Sequence, residues 1–243
     1  MRLSDWHERY KEQARWTKAA RDHLLSSYQI TPADNLLEIG CGTGAVLYEM
    51  AARCNARHFG LDIDYPALGY ARSVIPSARL ICGNGLTLPV PANSMDMVYC
   101  HFLLLWVEDP RGLLTEARRV LKPGAPLLLF GEPDYGGRID YPRELEEAGQ
   151  MQTHSLRAQG ADPYIGRKLL SALTEAGFEE VKVALLGGEW SAAAKQSSGM
   201  EQTILEFDLA CLGEKLTGEQ AQVMREPAIR FVPTFYAQAL KPV

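Results

Sequence analysis

The chain has 243 residues, a formal net charge of −5 and 47% hydrophobic residues. A chain of this length can bury a large core, and we expect one domain spanning residues 1–243. The acidic balance gives no electrostatic footprint for nucleic acid, and no basic run indicates a membrane surface. No apolar stretch reaches 18 residues and the N-terminus lacks an apolar signal segment, so we expect a cytoplasmic protein.

The first predicted element is one amphipathic helix from about Asp5 to Tyr28. Hydrophobic residues recur in it at helical spacing, and Asp5 and Glu8 are spaced as a capping box. An aromatic stripe that contains Trp6 and Tyr10 is more often packed in a core than used as a platform for a substrate. The sequence therefore predicts a helical N-terminal cap over residues 1–30.

The stretch 36–44 reads Leu-Leu-Glu-Ile-Gly-Cys-Gly-Thr-Gly, and an apolar pattern with helical spacing follows it. Glycine lets the backbone turn sharply and lets a ligand approach where a Cβ would clash. The start of the following helix presents free N–H groups. The pattern predicts a strand, a tight turn and a helix, with a nucleotide-type site at the carboxyl edge of a parallel sheet.

Two cofactor classes fit this turn. Its glycines match the dinucleotide fingerprint G-x-G-x-x-G/A. From Glu38 to Gly44 the turn also resembles the complete E/D-x-G-x-G-x-G loop of class I S-adenosylmethionine (SAM)-dependent methyltransferases. Glu38 distinguishes between the two cofactor classes, because a carboxylate repels a pyrophosphate but attracts the ammonium and sulfonium of SAM. A glycine-rich turn without a ligand is the third interpretation.

The next predicted strand, within 58–64, ends in two acids. In both nucleotide-binding classes an acid at this point accepts hydrogen bonds from ribose hydroxyls. The methyltransferase pattern G-x-D falls on Asp62, so the resemblance assigns the ribose to Asp62. Asp64 precedes Pro66 and suits the N-cap of the next helix, or the methionine end of the cofactor.

The segment 82–90 reads Cys-Gly-Asn-Gly-Leu-Thr-Leu-Pro-Val. It resembles the methyltransferase segment G-D-A-x-x-L-P-F, whose acid contacts the adenine amino group. Asn84 stands in place of that acid. Its amide oxygen still accepts a hydrogen bond, but the bond is neutral and therefore weaker. A plain Asn-Gly turn is the alternative.

Residues 94–130 extend the resemblance. The run 94–106 is similar to the family's S-F-D-x-V segment and its strand, and a helix that follows Asp109-Pro110 ends at Lys122-Pro123-Gly124. A fully apolar run at 127–130 is typical of a buried parallel strand. The resemblance implies an α/β fold with a Rossmann-like seven-stranded sheet, an antiparallel last strand and helices on both faces.

Outside a SAM-binding core at 36–132, the segments 133–176 and 191–228 are predicted as helical insertions over the substrate side. The expected elements are helices at 142–159, 161–177, 195–212 and 218–225, and strands at 178–186 and 231–239. Loops of such length are usually functional or self-structured. The second insertion covers either the substrate mouth or a dimer surface.

The resemblance implies a SAM-dependent methyltransferase that moves a methyl group to a small-molecule acceptor by in-line displacement and releases S-adenosylhomocysteine (SAH). Residues 100–103 read Cys-His-Phe-Leu instead of Asn-Pro-Pro-Tyr, which disfavours methylation of a planar amine or a flipped base. A SAM-binding subunit without catalysis and an NAD-dependent oxidoreductase are the alternatives. We expect a monomer or homodimer without nucleic-acid or membrane partners. We also expect no metal, since the five cysteines form no C-x-x-C pair.

The resemblance also implies the site residues. Those predicted to bind the cofactor are Arg15, Thr17, Glu38, Gly40, Cys41, Gly42, Gly44, Asp62, Ile63, Asn84, Gly85 and His101. Arg15 either pairs with the SAM carboxylate or is solvated. His101 follows the fourth strand and is either a general base or a hydrogen-bonding group. Predicted substrate contacts, which otherwise cap helices or face solvent, are Glu132, Asp134, Tyr135, Arg138 and His154.

Overall fold

The computed structural model describes residues 2–187 and 228–243, with Ala210, Lys215, Thr217 and Gly218 as isolated positions. Its strands are β1 (Asn35–Ile39), β2 (Arg57–Asp62), β3 (Arg79–Cys82), β4 (Met97–Cys100), β5 (Pro126–Pro133), β6 (Ile139–Tyr141), β7 (Glu179–Leu185), β8 (Ile229–Phe231) and β9 (Thr234–Leu240). Its helices are α1 (Leu3–Trp16), α2 (Lys18–Leu25), α3 (Ala45–Arg53), α4 (Tyr65–Val74), α5 (Pro110–Val120), α6 (Arg143–Ala158) and α7 (Leu169–Glu175). The helices predicted at 195–212 and 218–225 lie outside the continuous described ranges.

Seven strands form one sheet in the order β3-β2-β1-β4-β5-β9-β7. In the part of the sheet that runs β3-β2-β1-β4-β5, neighbouring strands are parallel. Strand β9 runs antiparallel to both of its neighbours, β5 and β7. This arrangement confirms the predicted Rossmann-like seven-stranded sheet with an antiparallel last strand. The carboxyl ends of β1, β2, β4 and β5 therefore meet at one edge of the sheet, where ligands bind in open α/β folds.

Helices cover both faces of the sheet, as predicted. Successive strand residues point to opposite faces, so Leu37 of β1 packs in one core cluster and Leu36 in the other. The Leu37 side includes α5 and α7, and the Leu36 side includes residues of α1, α2, α3 and α4. All eight residues of β5 are buried, as expected for a strand that is covered on both faces.

The prediction of a single N-terminal helix is wrong. The helix is broken at Thr17, whose φ of −93° and ψ of 5° end α1 and begin α2. The predicted capping box is also displaced by one turn. Asp5 occupies the third position of α1, where its carboxylate accepts the Arg2 backbone N–H at 3.0 Å.

The segment 133–176 is less helical than predicted. The strand β6 lies inside it and pairs antiparallel with β8. The last residue of β8, Phe231, is the first residue of the predicted strand 231–239. That predicted strand is interrupted at Pro233, which has no N–H to donate to a sheet. The helix predicted from Ala161 begins only at Leu169, after a 3₁₀ turn over Gly166–Lys168.

Within the described ranges, no helix combines the length and the hydropathy needed to cross a membrane.

The N-cap of α5 gives a test of how this helix is anchored. Asp109 Oδ1 accepts the Gly112 N–H at 2.9 Å, and α5 buries Leu113, Leu114 and Ala117. Asp109→Ala should lower the free energy of unfolding by about 1 kcal/mol, measured by urea denaturation. Asp109→Asn keeps an acceptor oxygen and should lose much less. Equal losses for the two variants would contradict the capping role.

Candidate active site

The glycine turn between β1 and α3 takes a backbone conformation that favours glycine. Gly40, Gly42 and Gly44 all have positive φ angles, of 74°, 49° and 82°. The Gly42 N–H donates to Asp62 Oδ2 at 2.6 Å, and Asp62 Oδ1 accepts the Asp64 N–H at 2.9 Å. The carboxylate that ends β2 thus fixes the turn that ends β1.

A cavity of about 350 Å³ opens beside this turn. It lies between the turn, helix α1, the segment 101–106 after β4, and the last residues of α6. Its lining residues are Trp6, Arg9, Tyr10, Gln13, Glu38, Gly40, Cys41, Gly42, Ala45, Val46, Asp62, His101, Phe102, Leu103, Leu105, Trp106, Tyr135, Leu156 and Gln159. Carboxylates therefore lie on the β1–β2 side of the cavity, and aromatic and aliphatic side chains form much of the rest.

Glu38 is a buried acid in the wall of this cavity. The residue is 2% exposed. Within the described part of the chain its Oε2 atom accepts no hydrogen bond of ordinary geometry, although the buried Tyr99 hydroxyl also acts on this carboxyl. Burial raises the pKa of Glu38 well above its usual range, and the positive charge of Arg21 opposes this shift. A cationic group of a ligand would both satisfy the oxygen and favour the ionised carboxylate.

His101 follows β4 and contacts the N-terminal helices. Its Nε2 atom is hydrogen bonded to Thr17 Oγ1 at 2.8 Å, and Arg21 Nη1 donates to the same oxygen at 2.5 Å. Burial, with a smaller contribution from Arg21, lowers the pKa of His101 to about 3. The imidazole is therefore neutral at physiological pH.

Glu132, near the end of β5, supports the cavity wall from behind. Its Oε1 atom accepts the Leu103 and Leu104 N–H groups, both at 3.0 Å, and it does not line the cavity. The side chain is fully buried, and burial raises its pKa to about 7. Glu132 thus anchors the backbone from which Leu103, Leu105 and Trp106 reach the cavity.

The structure brings together seven of the residues predicted from the sequence. Those that line the cavity are Glu38, Gly40, Cys41, Gly42, Asp62, His101 and Tyr135. Thr17 is buried directly behind His101. Gly44 packs toward Ala71 and Ile75 of the α4 region instead.

The other predicted residues lie outside the cavity lining. Arg15 is exposed and pairs with Glu12, whereas Asn84 is exposed and its Oδ1 atom accepts the Leu86 N–H at 2.9 Å. Ile63 is 72% exposed, and Gly85 packs toward Leu113 and Ile39.

The predicted acceptor-side residues Asp134, Arg138 and His154 also lie outside the lining. Asp134 pairs with Arg167, and Arg138 pairs with Asp140 and donates to Gln152 Oε1 at 2.9 Å. His154 is exposed on α6. Asp134 and Arg138 therefore tie together the segment that follows β5.

Sequence reasoning missed several lining residues. Trp6 and Tyr10 were expected in a core, but they line the cavity together with Arg9 and Gln13. Spacings of three and four residues put all four on one side of α1, and that spacing was the available signal. Leu156 and Gln159 belong to no motif, and Trp106 ends the run 94–106 without a predicted role, so only the fold shows that these residues line the cavity.

Among the described residues, no group of three or more His, Cys, Asp or Glu side chains is arranged to hold a metal ion.

The buried carboxyl of Glu132 should make stability depend on pH. The pKa of Glu132 is about 7 in the folded protein and about 4.3 in the unfolded chain. Its protonated form therefore stabilises the fold fully below about pH 4.3, and this contribution is lost as the pH rises through about 7. Between these pH values, the wild type should therefore lose roughly 3 kcal/mol relative to Glu132→Gln, measured by urea denaturation. The exposed Glu175→Gln controls for loss of a charge, and parallel curves for wild type and Glu132→Gln would contradict the assignment.

Comparison with known proteins gives the family. Residues 37–129 match a family model described as a methyltransferase domain. The chain is 33% identical over 178 residues to an uncharacterised 37.1 kDa protein of transposon Tn4556 from Streptomyces fradiae, covering 70% of this chain and 51% of that protein. It is 29% identical over 119 residues to malonyl-[acyl-carrier protein] O-methyltransferase from Marinomonas sp., covering 47% of this chain and 44% of that protein. The matches thus span about half the length of these relatives.

The fold also matches a solved methyltransferase structure. Phosphoethanolamine N-methyltransferase 2 from Haemonchus contortus, in complex with SAM, superposes with a TM-score of 0.61 at 15% identity. This match covers 90% of the present chain and 51% of the other, and at this identity it shows the fold alone. Residues 37–129 therefore match a methyltransferase domain, and the family model, the named relative and the seven-stranded sheet together support a class I SAM-dependent methyltransferase.

Proposed function

We propose that this protein transfers a methyl group from SAM to a small-molecule acceptor. The observation that carries the proposal is the buried Glu38 carboxylate, whose Oε2 atom accepts no hydrogen bond of ordinary geometry from the described residues and which lines the cavity beside the glycine turn. The ammonium of SAM fits this oxygen, and the sulfonium adds positive charge. A pyrophosphate would instead be repelled by Glu38 and Asp62 together.

The residues around the turn fit the remaining parts of the cofactor. Asp62 uses each carboxylate oxygen for one N–H bond, so further lone pairs are left for ribose hydroxyls. Ile63 and Asn84 follow the ends of β2 and β3 at the same edge of the sheet as Asp62, and we assign the adenine to them. Asn84 already accepts one N–H, which leaves one lone pair for the adenine amino group.

When bound, SAM supplies a methyl group that is already activated for displacement. The protein then has to align the acceptor and exclude water. Five aromatic side chains of the lining supply apolar surface for this purpose: Trp6, Tyr10, Phe102, Trp106 and Tyr135. A general base is needed only if the acceptor must lose a proton.

For His101 we propose a hydrogen-bonding role. A base is most efficient when its pKa lies near the working pH, and the pKa of His101 is lowered to about 3. Its contact with Thr17 instead orients the imidazole within the cavity wall. The neutral ring lines the cavity, and its second nitrogen is the polar atom that we assign to a hydrogen bond with a bound group.

The proposed acceptor is small because the cavity is small. A volume of about 350 Å³ lies at the lower end of the range for small-molecule sites, and the cofactor occupies part of it. The Marinomonas relative is named for the methylation of a malonyl group attached to an acyl-carrier protein. A short acceptor group presented at the mouth is compatible with the same cavity. A cytoplasmic location and a monomeric or homodimeric state remain predictions.

Cofactor choice is the first test. Isothermal titration calorimetry should detect SAH binding at micromolar affinity and no measurable NADH binding. Glu38→Gln should weaken SAH binding, because the amide cannot pair with the ammonium as a charge. Tight NADH binding without an SAH signal would refute the proposal.

The ribose assignment is tested by two neighbouring carboxylates. Asp62→Ala should weaken SAH binding by at least tenfold, because charge-assisted hydrogen bonds are worth roughly 1.5–3 kcal/mol. Asp64 caps α4 by accepting the Ala67 N–H at 3.1 Å, so Asp64→Ala should lower stability while SAH affinity changes little. Equal effects on affinity would remove the special role of Asp62.

A further inference from the structure

Arg9 of α1 is a buried cation in the wall of the cavity. The residue is 7% exposed, and among the described residues that line the cavity it is the one that carries a permanent positive charge. A guanidinium removed from water needs acceptors around it. Its planar fork offers five N–H donors, so Arg9 has the capacity to bind an anion in addition to its contacts within the protein. The position of Arg9 therefore favours an anionic group in the cavity.

Helix α1 carries two neighbouring stripes of side chains. Positions 7, 10, 14 and 17 form the first stripe. His7 Nδ1 is hydrogen bonded to Thr43 Oγ1 of the glycine turn at 2.9 Å. At the other end of this stripe, Thr17 Oγ1 is hydrogen bonded to His101 Nε2 at 2.8 Å. The first stripe therefore fixes α1 against the turn and the edge of the sheet.

The second stripe consists of Trp6, Arg9 and Gln13, which all line the cavity. Each of them precedes a position of the first stripe by one residue, and one residue turns an α-helix by about 100°. Arg9 and Gln13 therefore project to the side of the residues that contact the turn. We assign the second stripe to the acceptor, and the turn with its two carboxylates to the cofactor.

The residues of the second stripe suit a small acceptor with an anionic head group. Arginine binds carboxylates and phosphates through two parallel N–H···O bonds, which fix the orientation of the group as well as its charge. Gln13 lies one turn further along α1, and its amide supplies further N–H donors. Trp6, one turn earlier, supplies apolar surface. An anionic group on an apolar body therefore matches this wall of the cavity.

The carboxylate of SAM itself is the alternative partner of Arg9. In the cofactor this carboxylate is bonded to the same carbon as the ammonium, which we place at Glu38. Glu38 belongs to β1, just before the turn that the first stripe contacts. The second stripe is turned away from that contact, so the geometry favours an anion of the acceptor.

We propose that the methyl acceptor carries a carboxylate or phosphate group and that Arg9 binds this group. This assignment rests on the proposed methyl transfer from SAM, to which it adds the chemical class of the acceptor. Arg9 holds the anionic head group, while the cofactor lies against Glu38 and Asp62.

The first experiment is isothermal titration calorimetry on protein saturated with SAH, with three probes of similar shape: benzoate, phenyl phosphate and the neutral benzamide. Benzoate or phenyl phosphate should bind at least about tenfold more tightly than benzamide, because charge-assisted hydrogen bonds replace neutral ones. The anion that binds more tightly identifies the head group. Arg9→Gln should abolish the preference for anions and leave SAH affinity almost unchanged.

A second variant keeps Arg9 and blocks it instead. Gln13→Glu adds a carboxylate one turn away on the same stripe, where it pairs with Arg9 and repels a second anion. It should lower the affinity for both anions and spare benzamide, and it tests the role of Arg9 even if Arg9→Gln does not fold. Lys11→Gln is the matched control, because Lys11 is not in the cavity lining and pairs with Glu8 at 3.0 Å. All three variants lower the net charge by one, so a general electrostatic effect would appear in each.

Turnover should show the same preference. SAH release should occur with small carboxylates or phosphates and not with the corresponding amides or alcohols. With an acceptor found in this way, Arg9→Gln should raise KM at least about tenfold and change kcat little, because a bond to a remote head group is equally strong in the ground state and the transition state. Methyl transfer confined to neutral or cationic acceptors would overturn the role of Arg9.

The binding data separate three further outcomes. If SAH-saturated wild type prefers neither anion to benzamide, or if Gln13→Glu leaves the preference in place, Arg9 does not bind the acceptor. If Arg9→Gln weakens SAH binding as much as it weakens benzoate binding, Arg9 binds the cofactor carboxylate and the assignment is wrong. A wild type that binds no SAH refutes the proposed function itself, whereas normal SAH binding without a preference for anions refutes the role of Arg9 alone.

Discussion

The hydrogen bond from the Gly42 N–H to the Asp62 carboxylate is the contact on which the site depends. Strands β1 and β2 are parallel and in register, with Ile39 opposite Leu61, so their carboxyl ends lie side by side. A chain that leaves β1 there must turn at once, and glycines at positive φ make this turn possible. Asp62 then fixes the turn through a bond of 2.6 Å. The same carboxylate remains available to a ligand at this edge.

Buried ionisable groups around the cavity show that the site is not arranged for stability alone. Glu38, Arg21 and Glu132 are each at most 2% exposed as residues, and desolvation of such groups is costly. Glu132 recovers part of this cost through two backbone N–H groups, and Arg21 through Thr17 and Glu49. Among the described residues, Glu38 and Glu132 each have one carboxylate oxygen without a hydrogen bond of ordinary geometry, and of the two only Glu38 lines the cavity. One poorly compensated buried carboxyl therefore lies where a charged ligand is expected.

Local pattern was sufficient for the core of the fold. Apolar runs, helical spacing and the Asp109-Pro110 start of α5 are short-range signals that predicted individual strands and helices, and the resemblance to class I methyltransferases implied the seven-stranded sheet. The break at Thr17 was not predictable in this way. Its hydroxyl is bonded to His101, 84 residues away, and nothing in the local sequence from Asp5 to Tyr28 indicates that contact. The pairing of β6 with β8 joins residues about 90 positions apart and was missed for the same reason.

The two sides of the cavity differ in how strongly the motifs constrain them. The cofactor side consists of the turn after β1 and the acid after β2, where few residue types can satisfy the backbone geometry and the charge. The side that we propose for the acceptor consists of one face of α1, the segment after β4 and the end of α6. It requires mainly apolar surface of a suitable shape, although α1 also supplies Arg9 and Gln13. Many sequences meet that requirement, so these residues form no motif. The motifs therefore indicate the proposed cofactor, whereas the side of the cavity that we propose for the acceptor is shaped by the three-dimensional packing of Trp6, Trp106 and Leu156.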